Sequence, residues 1–267
     1  MSKIILVTGA SSGIGKGIAA FLSEKGYIVY GTSRVPKDEK DFSFELIALD
    51  VLKIESIKAA VQFIIEKQGR LDILINNAGM GITGAIEETP TDEMRAVFNT
   101  NLFGAIDVMK AVLPQMREQK SGTIINITSI AGYMGLPFRG VYSATKGALE
   151  LITEATSMEV QPFGINVVNV APGDFATNIA AGRYHAPVVV ESAYREKYQL
   201  NLELMDAHVN TGKNPMEMAE KVYKIINTKH PKIHYKVGGF MEKVSVVLKR
   251  ILSDRVYEKL LMHHYKL

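Results

Sequence analysis

The sequence contains no cysteine and no tryptophan among its 267 residues. Without cysteine, the chain cannot form disulfides, zinc–thiolate sites or iron–sulfur clusters, and a reducing compartment is compatible with it. The six histidines show no H-x-x-x-H or H-E-x-x-H spacing, and His263 and His264 lie in a basic C-terminal segment. We therefore expect no metal site.

The sequence also lacks a long apolar run near its start and a large excess of charge of one sign. The stretch "MSKIILVTG" is too short for a signal peptide or a membrane span, which predicts a soluble cytoplasmic protein. The 31 basic and 28 acidic residues are mixed until about the last thirty positions, so no nucleic-acid partner is expected. With 47% apolar residues, the chain can bury a sizeable core as one domain spanning 1–267.

Short runs rich in isoleucine and valine alternate with segments of helical periodicity along most of the chain. The predicted strands are Ile4–Val7, Ile28–Tyr30, Leu46–Leu49, Ile73–Ile75, Ile124–Ile127 and Asn166–Val170. The predicted helices are Gly15–Lys25, Ile54–Lys67, Leu102–Gln119 and Ala144–Val160. Apolar strands separated by helices predict an α/β protein with a parallel sheet covered on both faces.

A glycine-rich turn, "TGASSGIG" at residues 8–15, follows the first predicted strand and opens a helix. Its glycines, Gly9, Gly13 and Gly15, suit a tight turn and a close backbone approach to a pyrophosphate at a helix N-terminus. The spacing differs from the common G-x-G-x-x-G pattern, and glycine-rich turns without a ligand are frequent. The turn alone therefore leaves nucleotide binding open.

Other short motifs occur in a fixed order after this turn. They are "DV" at 50–51, "NNAG" at 76–79, "NLFG" at 101–104, "TS" at 128–129, "YSATK" at 142–146, and "PG" at 172–173 with Thr177. Together with the glycine turn, they resemble the short-chain dehydrogenase/reductase family over roughly residues 3–240. The resemblance implies a single Rossmann-type domain with a doubly wound parallel sheet of about seven strands and helices on both faces.

The resemblance assigns four catalytic residues. A tyrosine and a lysine one turn apart are by themselves a common solvated pair, but here Tyr142 would exchange a proton with the substrate oxygen. Because a phenol ordinarily ionises near pH 10, the charge of Lys146 would stabilise its anion, and Lys146 would also hold the nicotinamide ribose. Ser129 would orient the substrate oxygen, although a serine at this position can also cap a helix. Asn101, rather than Asn99, would sustain a proton relay through water to the lysine.

The resemblance also implies a set of cofactor contacts. They are Gly9, Ser11, Ser12, Gly13, Ile14, Gly15, Ser33, Arg34, Asp50, Val51, Asn76, Asn77, Ala78, Gly79, Pro172, Gly173 and Thr177, with Tyr142 and Lys146. Ser33 occupies the position where NAD-dependent relatives carry aspartate, and the Arg34 guanidinium can bind a phosphate. This pattern predicts NADP as the cofactor. An exposed surface arginine and a loop-capping Asp50 are the alternatives.

The expected function is NADP(H)-dependent hydride transfer between nicotinamide and a carbonyl or secondary alcohol. The chain continues about thirty residues past Gly239, as in family members that act on steroid-, retinol- or lipid-like substrates. The alternatives are a 3-oxoacyl-thioester ketoreductase and a non-catalytic dinucleotide-sensing protein, although a sensor would be expected to lose the catalytic residues. A homodimer or homotetramer is expected.

The segments at about 178–214 and 240–267 are interpreted as a substrate loop with helices and an amphipathic extension. The extension repeats apolar residues at helical spacing: Val244, Val247, Leu248, Ile251, Leu252, Val256, Leu260 and Leu261. Basic residues occupy its other side, so this helix can bind an anionic membrane surface. The favoured interpretation is instead that the apolar stripe packs on the protein's own body or on a second subunit.

Overall fold

The computed structural model describes residues 2–36, 42–175, 183–210 and 214–267. The strands are β1 Ile4–Val7, β2 Ile28–Ser33, β3 Glu45–Ala48, β4 Ile73–Asn76, β5 Ile82–Thr83, β6 Gly122–Ile127, β7 Ile165–Pro172, β8 Tyr184–His185 and β9 His234–Val237. The helices are α1 Gly13–Glu24, α2 Ile54–Gln68, α3 Thr91–Phe98, α4 Ala105–Glu118, α5 Gly140–Val160, α6 Arg195–Asn210, α7 Met216–Ile226, α8 Phe240–Ile251 and α9 Asp254–His264.

Seven strands form one parallel sheet in the order β3-β2-β1-β4-β6-β7-β9. The chain builds outward from β1 to β3 and then crosses back to place β4 on the other side of β1. In such open α/β sheets, the strand order reverses at this point, and ligands bind beyond the carboxyl ends of the strands there. The predicted α/β, Rossmann-type doubly wound fold is confirmed.

Each face of the sheet carries its own core, because successive side chains of a strand point to opposite faces. Ile5 and Val7 of β1 pack in the cluster that includes residues of α1 and α7. Ile4 and Leu6 pack with residues of α2 and α4 on the other face. The helical run Thr91–Glu118 is long and apolar enough to span a membrane, but its residues Val108, Met109, Val112 and Met116 belong to this second core.

Helix α5 begins earlier than its periodicity indicates. We predict Ala144 as its first residue, whereas α5 begins at Gly140, where the Ser143 N–H already bonds to the Arg139 carbonyl at 2.9 Å. Tyr142 therefore lies in the first turn of α5. The two-residue strands β5 and β8, which pair in a separate small sheet, are too short to produce a periodic pattern.

The C-terminal extension is two helices, not one continuous amphipathic helix. Extended backbone at Leu252 and Ser253 separates α8 from α9 and shifts the helical phase between them. The expectation that the stripe packs on the body or on a second subunit stays a prediction, because only part of the stripe is covered within this chain. Leu248, Leu252 and Leu261 pack inward beside buried Val246 and Tyr257, whereas Val247, Ile251, Val256 and Leu260 are exposed.

Candidate active site

The glycine-rich turn after β1 adopts a conformation that side chains resist. Gly9 and Gly13 have φ values of 65° and 56°, in the left-handed region that glycine enters at low cost. A Cβ on Gly9 would lie 2.9 Å from the Ala78 Cα, and one on Gly15 would collide with the Asn77 amide and the Gly9 carbonyl. Gly15 thus lets α1 pack closely on the turn.

Thr8 and Asn77 join this turn to the segment after β4. The Thr8 Oγ1 accepts hydrogen bonds from the N–H groups of Asn77 at 2.9 Å and Ala78 at 3.0 Å. The Asn77 Nδ2 donates to the carbonyls of Thr8 at 3.0 Å and Gly9 at 3.1 Å. Asn76, which the resemblance also assigns to the cofactor, instead points into the core and donates to the Ala105 carbonyl at 3.1 Å. Successive side chains of an extended segment point to opposite sides, so Asn76, the last residue of β4, and Asn77 face different surroundings.

A groove of about 440 Å³ runs along the carboxyl ends of the strands. Its lining contains most of the predicted cofactor contacts: Gly9, Ser11, Ser12, Gly13, Ile14, Ser33, Arg34, Asp50, Val51, Asn77, Ala78, Gly79, Tyr142, Lys146 and Pro172. Thr32, Leu49, Leu52, Met80, Thr100, Ile127 and Thr128 also line it and are not in the predicted set. Gly173 lies in the adjoining pocket, and Thr177 lies outside the described residues.

The residues of this groove fit a nicotinamide dinucleotide. The Ser12 side chain makes no capping bond to α1, so the first N–H groups of that helix are available to a pyrophosphate. At the end of β2, the groove is lined by Ser33 and an exposed Arg34. Asp50 also lines it, while its Oδ1 accepts the Leu52 N–H at 3.1 Å. Asp50 therefore caps a loop and borders the groove at once.

Tyr142 and Lys146 lie together where the groove meets a smaller pocket. The Lys146 Nζ donates to the Ile127 carbonyl at 2.9 Å and lies 5.9 Å from the centroid of the Tyr142 ring. Burial lowers the pKa of Lys146, and the charge of an ionised Tyr142 opposes this effect. The protonation state of Lys146 therefore depends on whether Tyr142 is ionised.

Asn101 lies in a π-helical segment, Asn99–Gly104, between α3 and α4. Its Oδ1 accepts the Met80 N–H at 2.8 Å, and its Nδ2 donates to the Met80 carbonyl at 2.9 Å and the Thr145 Oγ1 at 3.2 Å. Asn99 is exposed. The Asn101 Oδ1 and the Lys146 Nζ lie 3.1 and 3.5 Å from where a Gly79 Cβ would be, so only glycine leaves the space between them open.

A small pocket of about 60 Å³ lies over Tyr142. Ser129 lines it, and the Ser129 Oγ also accepts the Ala131 N–H at 3.2 Å, so the serine caps the following 3₁₀ turn as well. The Arg139 guanidinium lies 5.6 Å from the centroid of the Tyr142 ring. Arg139, Asp174 and Arg183 give this pocket charged walls, and no short motif in the sequence indicates them.

An apolar cavity of about 310 Å³ adjoins the small pocket over Tyr142. Both are lined by Ile82, and Val141 of the cavity precedes Tyr142 in α5. The remaining lining residues are Gly84, Ala85, Ile86, Thr89, Leu136, Pro137, Phe138, Gly140, Tyr194 and Leu267. The lining residues come from four segments that are widely separated along the chain, so the sequence alone does not indicate that they form one cavity. The site therefore joins a charged reaction pocket to an apolar compartment.

A buried carboxyl group lies on α5 two turns beyond Tyr142. The Glu150 Oε1 accepts a hydrogen bond from the Thr128 Oγ1 at 3.1 Å, next to Ser129 in the chain. Burial raises the pKa of Glu150 to about 7, although the hydrogen bonds from Thr128 and Tyr133 and the charge of Lys236 oppose this effect. Sequence reasoning did not single out this residue.

Both a family model and named proteins match this chain over most of its length. A family model described as short chain dehydrogenase matches residues 3–187. The chain is 42% identical over 264 residues to a 3-ketodihydrosphingosine reductase from Bacteroides thetaiotaomicron, covering 98% of each protein. It is 31% identical over 274 residues to the uncharacterized oxidoreductase YusZ from Bacillus subtilis, covering 97% of each.

Solved structures resemble the chain over nearly its full length. A short-chain dehydrogenase from Streptomyces avermitilis has a TM-score of 0.84 and 34% identity, covering 99% of this chain and 97% of that one. ElxO with NADP bound has a TM-score of 0.72 and 29% identity, covering 89% of this chain and 96% of that one.

Proposed function

The chain belongs to the short-chain dehydrogenase/reductase family and is an oxidoreductase, and from that premise we propose that it reduces the ketone of a long-chain amphiphile with NADPH. The class of substrate is that of 3-ketodihydrosphingosine, which carries polar groups beside its ketone and a long alkyl chain.

The observation that carries the substrate class is the apolar cavity beside a charged reaction pocket. Arg139, Asp174 and Arg183 can bind the polar groups of an amphiphile near its ketone. The cavity bordered by Ile82, Val141 and other apolar residues can hold the alkyl chain, because each buried methylene contributes about 0.8 kcal/mol. The 42% identical reductase, whose name specifies a ketone of this class, supports the same assignment.

The catalytic residues perform the proton transfer of the reduction. When bound, NADPH supplies the hydride that reaches the carbonyl carbon. The Tyr142 hydroxyl donates a proton to the carbonyl oxygen, and the nearby Lys146 ammonium, 5.9 Å from the Tyr142 ring, stabilises the phenolate that remains. Ser129 donates a hydrogen bond to the same oxygen, which orients it toward Tyr142.

Asn101 has a positioning role in this mechanism. Its side-chain amide is bonded to the backbone of Met80, and its Oδ1 lies beside the same glycine as the Lys146 Nζ. A water held between the asparagine and lysine side chains would return a proton toward Tyr142 after each turnover. In this relay the Lys146 ammonium passes a proton to the Tyr142 phenolate and takes one from the water, so the buried lysine recovers its charge without direct exposure to solvent.

The residues at the end of β2 support NADPH over NADH. Ser33 introduces no negative charge beside the adenosine ribose, and Arg34 borders the groove with an exposed guanidinium. A guanidinium binds a phosphate with several charge-assisted hydrogen bonds. Asp50 is already engaged with the Leu52 N–H, so it does not substitute for the carboxylate that NAD-dependent relatives carry on β2.

The decisive experiment places a side chain in the apolar cavity. A Cβ on Gly140 would meet no atom within 4 Å, and Gly140 lines the cavity, so Gly140→Leu adds an apolar side chain at the cavity wall. If about three methylenes of substrate lose their site, kcat/KM for a long-chain 3-ketone falls roughly 50-fold. A short ketone should be reduced at an unchanged rate.

Gly135→Leu is the matched control, since Gly135 is also exposed, has no atom within 4 Å of its Cβ position and lies outside the cavity. Equal losses on long and short ketones would refute the cavity assignment. A preference for 3-oxoacyl thioesters over free long-chain ketones would favour the thioester ketoreductase, and no turnover of any carbonyl with NADPH or NADH would favour a sensing protein.

A further inference from the structure

The two C-terminal helices expose large apolar side chains. On α8, Phe240 is 79% exposed, Val247 53% and Ile251 69%. Their spacing of seven and then four residues places all three on one stripe of the helix. On α9, Val256 and Leu260 are each 47% exposed and also share a face. These residues are separate from the inner set that attaches the helices to the protein.

The inner faces of α8 and α9 are firmly held. Val246 and Tyr257 are buried in a cluster with residues of the segment after β6, and the Tyr257 hydroxyl donates to the Met134 Sδ at 2.7 Å. The Glu242 carboxylate accepts the Asp174 N–H at 2.7 Å, which joins α8 to the wall of the catalytic pocket. The outer stripe is therefore presented by a helix whose orientation is fixed.

The charge of the chain is concentrated in this extension. Residues 240–267 contain six Lys or Arg residues and three Asp or Glu residues, a net charge of +3. Subtracting them from 31 basic and 28 acidic residues leaves 25 of each in the rest of the chain. Lys243 and Arg250, seven residues apart and both exposed, lie along one side of the apolar stripe of α8, whereas Glu242 is turned toward the protein.

We propose that the outer face of α8 and α9 docks on an anionic lipid bilayer. Phe240, Val247 and Ile251 would enter the boundary between head groups and acyl chains, and Lys243 and Arg250 would contact lipid phosphates. Apolar residues flanked by basic ones are the pattern of helices that lie in this boundary. The positive charge makes an anionic bilayer a better partner for the face than a second copy of the same basic surface.

The position of this face suits a lipid-handling enzyme. The extension ends at Leu267, which lines the apolar cavity beside the catalytic pocket, and Glu242 contacts the pocket wall. A bilayer bound to α8 and α9 would hold that side of the protein close to membrane lipid. Docking itself does not depend on the substrate proposed above, because it is measured without turnover.

The test uses the full chain and cosedimentation with vesicles of phosphatidylcholine, alone or mixed with phosphatidylglycerol. The wild type should sediment with the mixed vesicles and much less with the neutral ones. Phe240→Ser/Val247→Ser/Ile251→Ser should abolish sedimentation. Lys243→Glu/Arg250→Glu should lower the partition coefficient at least 25-fold, since each basic residue near an anionic surface corresponds to about fivefold.

Matched controls change similar residues elsewhere on the surface. Leu151→Ser/Met158→Ser removes two exposed apolar residues of α5 that are 67% and 69% exposed, and Lys224→Glu/Lys229→Glu removes two exposed positive charges. Both should bind vesicles like the wild type. All variants should keep the wild-type melting temperature and their rate with a short, water-soluble ketone.

Absence of wild-type binding to the mixed vesicles, or equal losses in the control variants, would overturn the proposal. The serine triple variant is also examined by light scattering without lipid. If it splits a larger assembly into smaller species, the exposed stripe is a subunit interface, and the membrane assignment is wrong.

Discussion

Replacing Glu150 with glutamine should stabilise the protein in a pH-dependent way. Glu150 is 6% exposed, and its neighbours include the Thr128 hydroxyl, the Tyr133 hydroxyl, Lys236 and Glu154. The ionised carboxylate loses more stabilisation from water on burial than the hydrogen bonds and Lys236 give back. The result is a pKa of about 7 for Glu150, above the ordinary value of 4.5.

The sign of the effect follows from where the proton is bound. Between pH 4.5 and about 7, the folded protein retains a proton on Glu150 that the unfolded chain has lost. The free energy of unfolding therefore falls as pH rises through this window, and the full cost is present above it. At about 1.4 kcal/mol per pKa unit, the cost is about 3 kcal/mol. A neutral amide at this position avoids it.

We expect Glu150→Gln to unfold with about the same free energy as the wild type near pH 4, and with up to about 3 kcal/mol more near pH 8. For a chain of this length, that corresponds to roughly 5–10 °C in melting temperature. Urea unfolding at several pH values measures the difference, and exposed Glu159→Gln on the same helix is the control. A difference between Glu150→Gln and the wild type that does not change with pH would refute the reasoning.

Two predictions concern the cofactor and the reaction. Tyr142→Phe should lower kcat at least a thousandfold while NADPH still binds, because only the proton-donating hydroxyl is removed; fluorescence titration measures binding, and near-normal turnover would contradict the mechanism. Arg34→Ala should lower the ratio of kcat/KM for NADPH to that for NADH about tenfold, as expected for loss of a charge-assisted bond at an exposed site. The same ratio in the variant and the wild type would show that Arg34 does not recognise the phosphate.

The sheet and the pairing of Tyr142 with Lys146 could be predicted because their determinants are local. Apolar runs such as Ile73–Ile75 predict buried parallel strands, and Tyr142 and Lys146 share a helix face through their spacing alone. In the structure, this strand spans Ile73–Asn76, and the Lys146 Nζ lies near the Tyr142 ring. The predicted start of α5 at Ala144 is four residues too late, because the periodicity of the apolar positions weakens across the small residues of the first turn.

The tertiary structure decided which distant residues share a site. The hydrogen bond from Thr128 to Glu150 depends on how α5 packs beside the end of β6. The apolar cavity combines segments as far apart as Ile82 and Leu267. No periodicity in the sequence carries such information, because each segment's local pattern is the same whether or not the others meet it.

The C-terminal extension separates these two kinds of information most clearly. Its sequence determines an apolar stripe and a local excess of positive charge, since helical spacing and charge are properties of neighbouring residues. Only the tertiary structure decides that Val246 and Tyr257 pack against the rest of the protein while Val247 and Ile251 remain exposed. Periodicity specifies which side chains share a face of a helix, but the rest of the fold determines whether that face is covered.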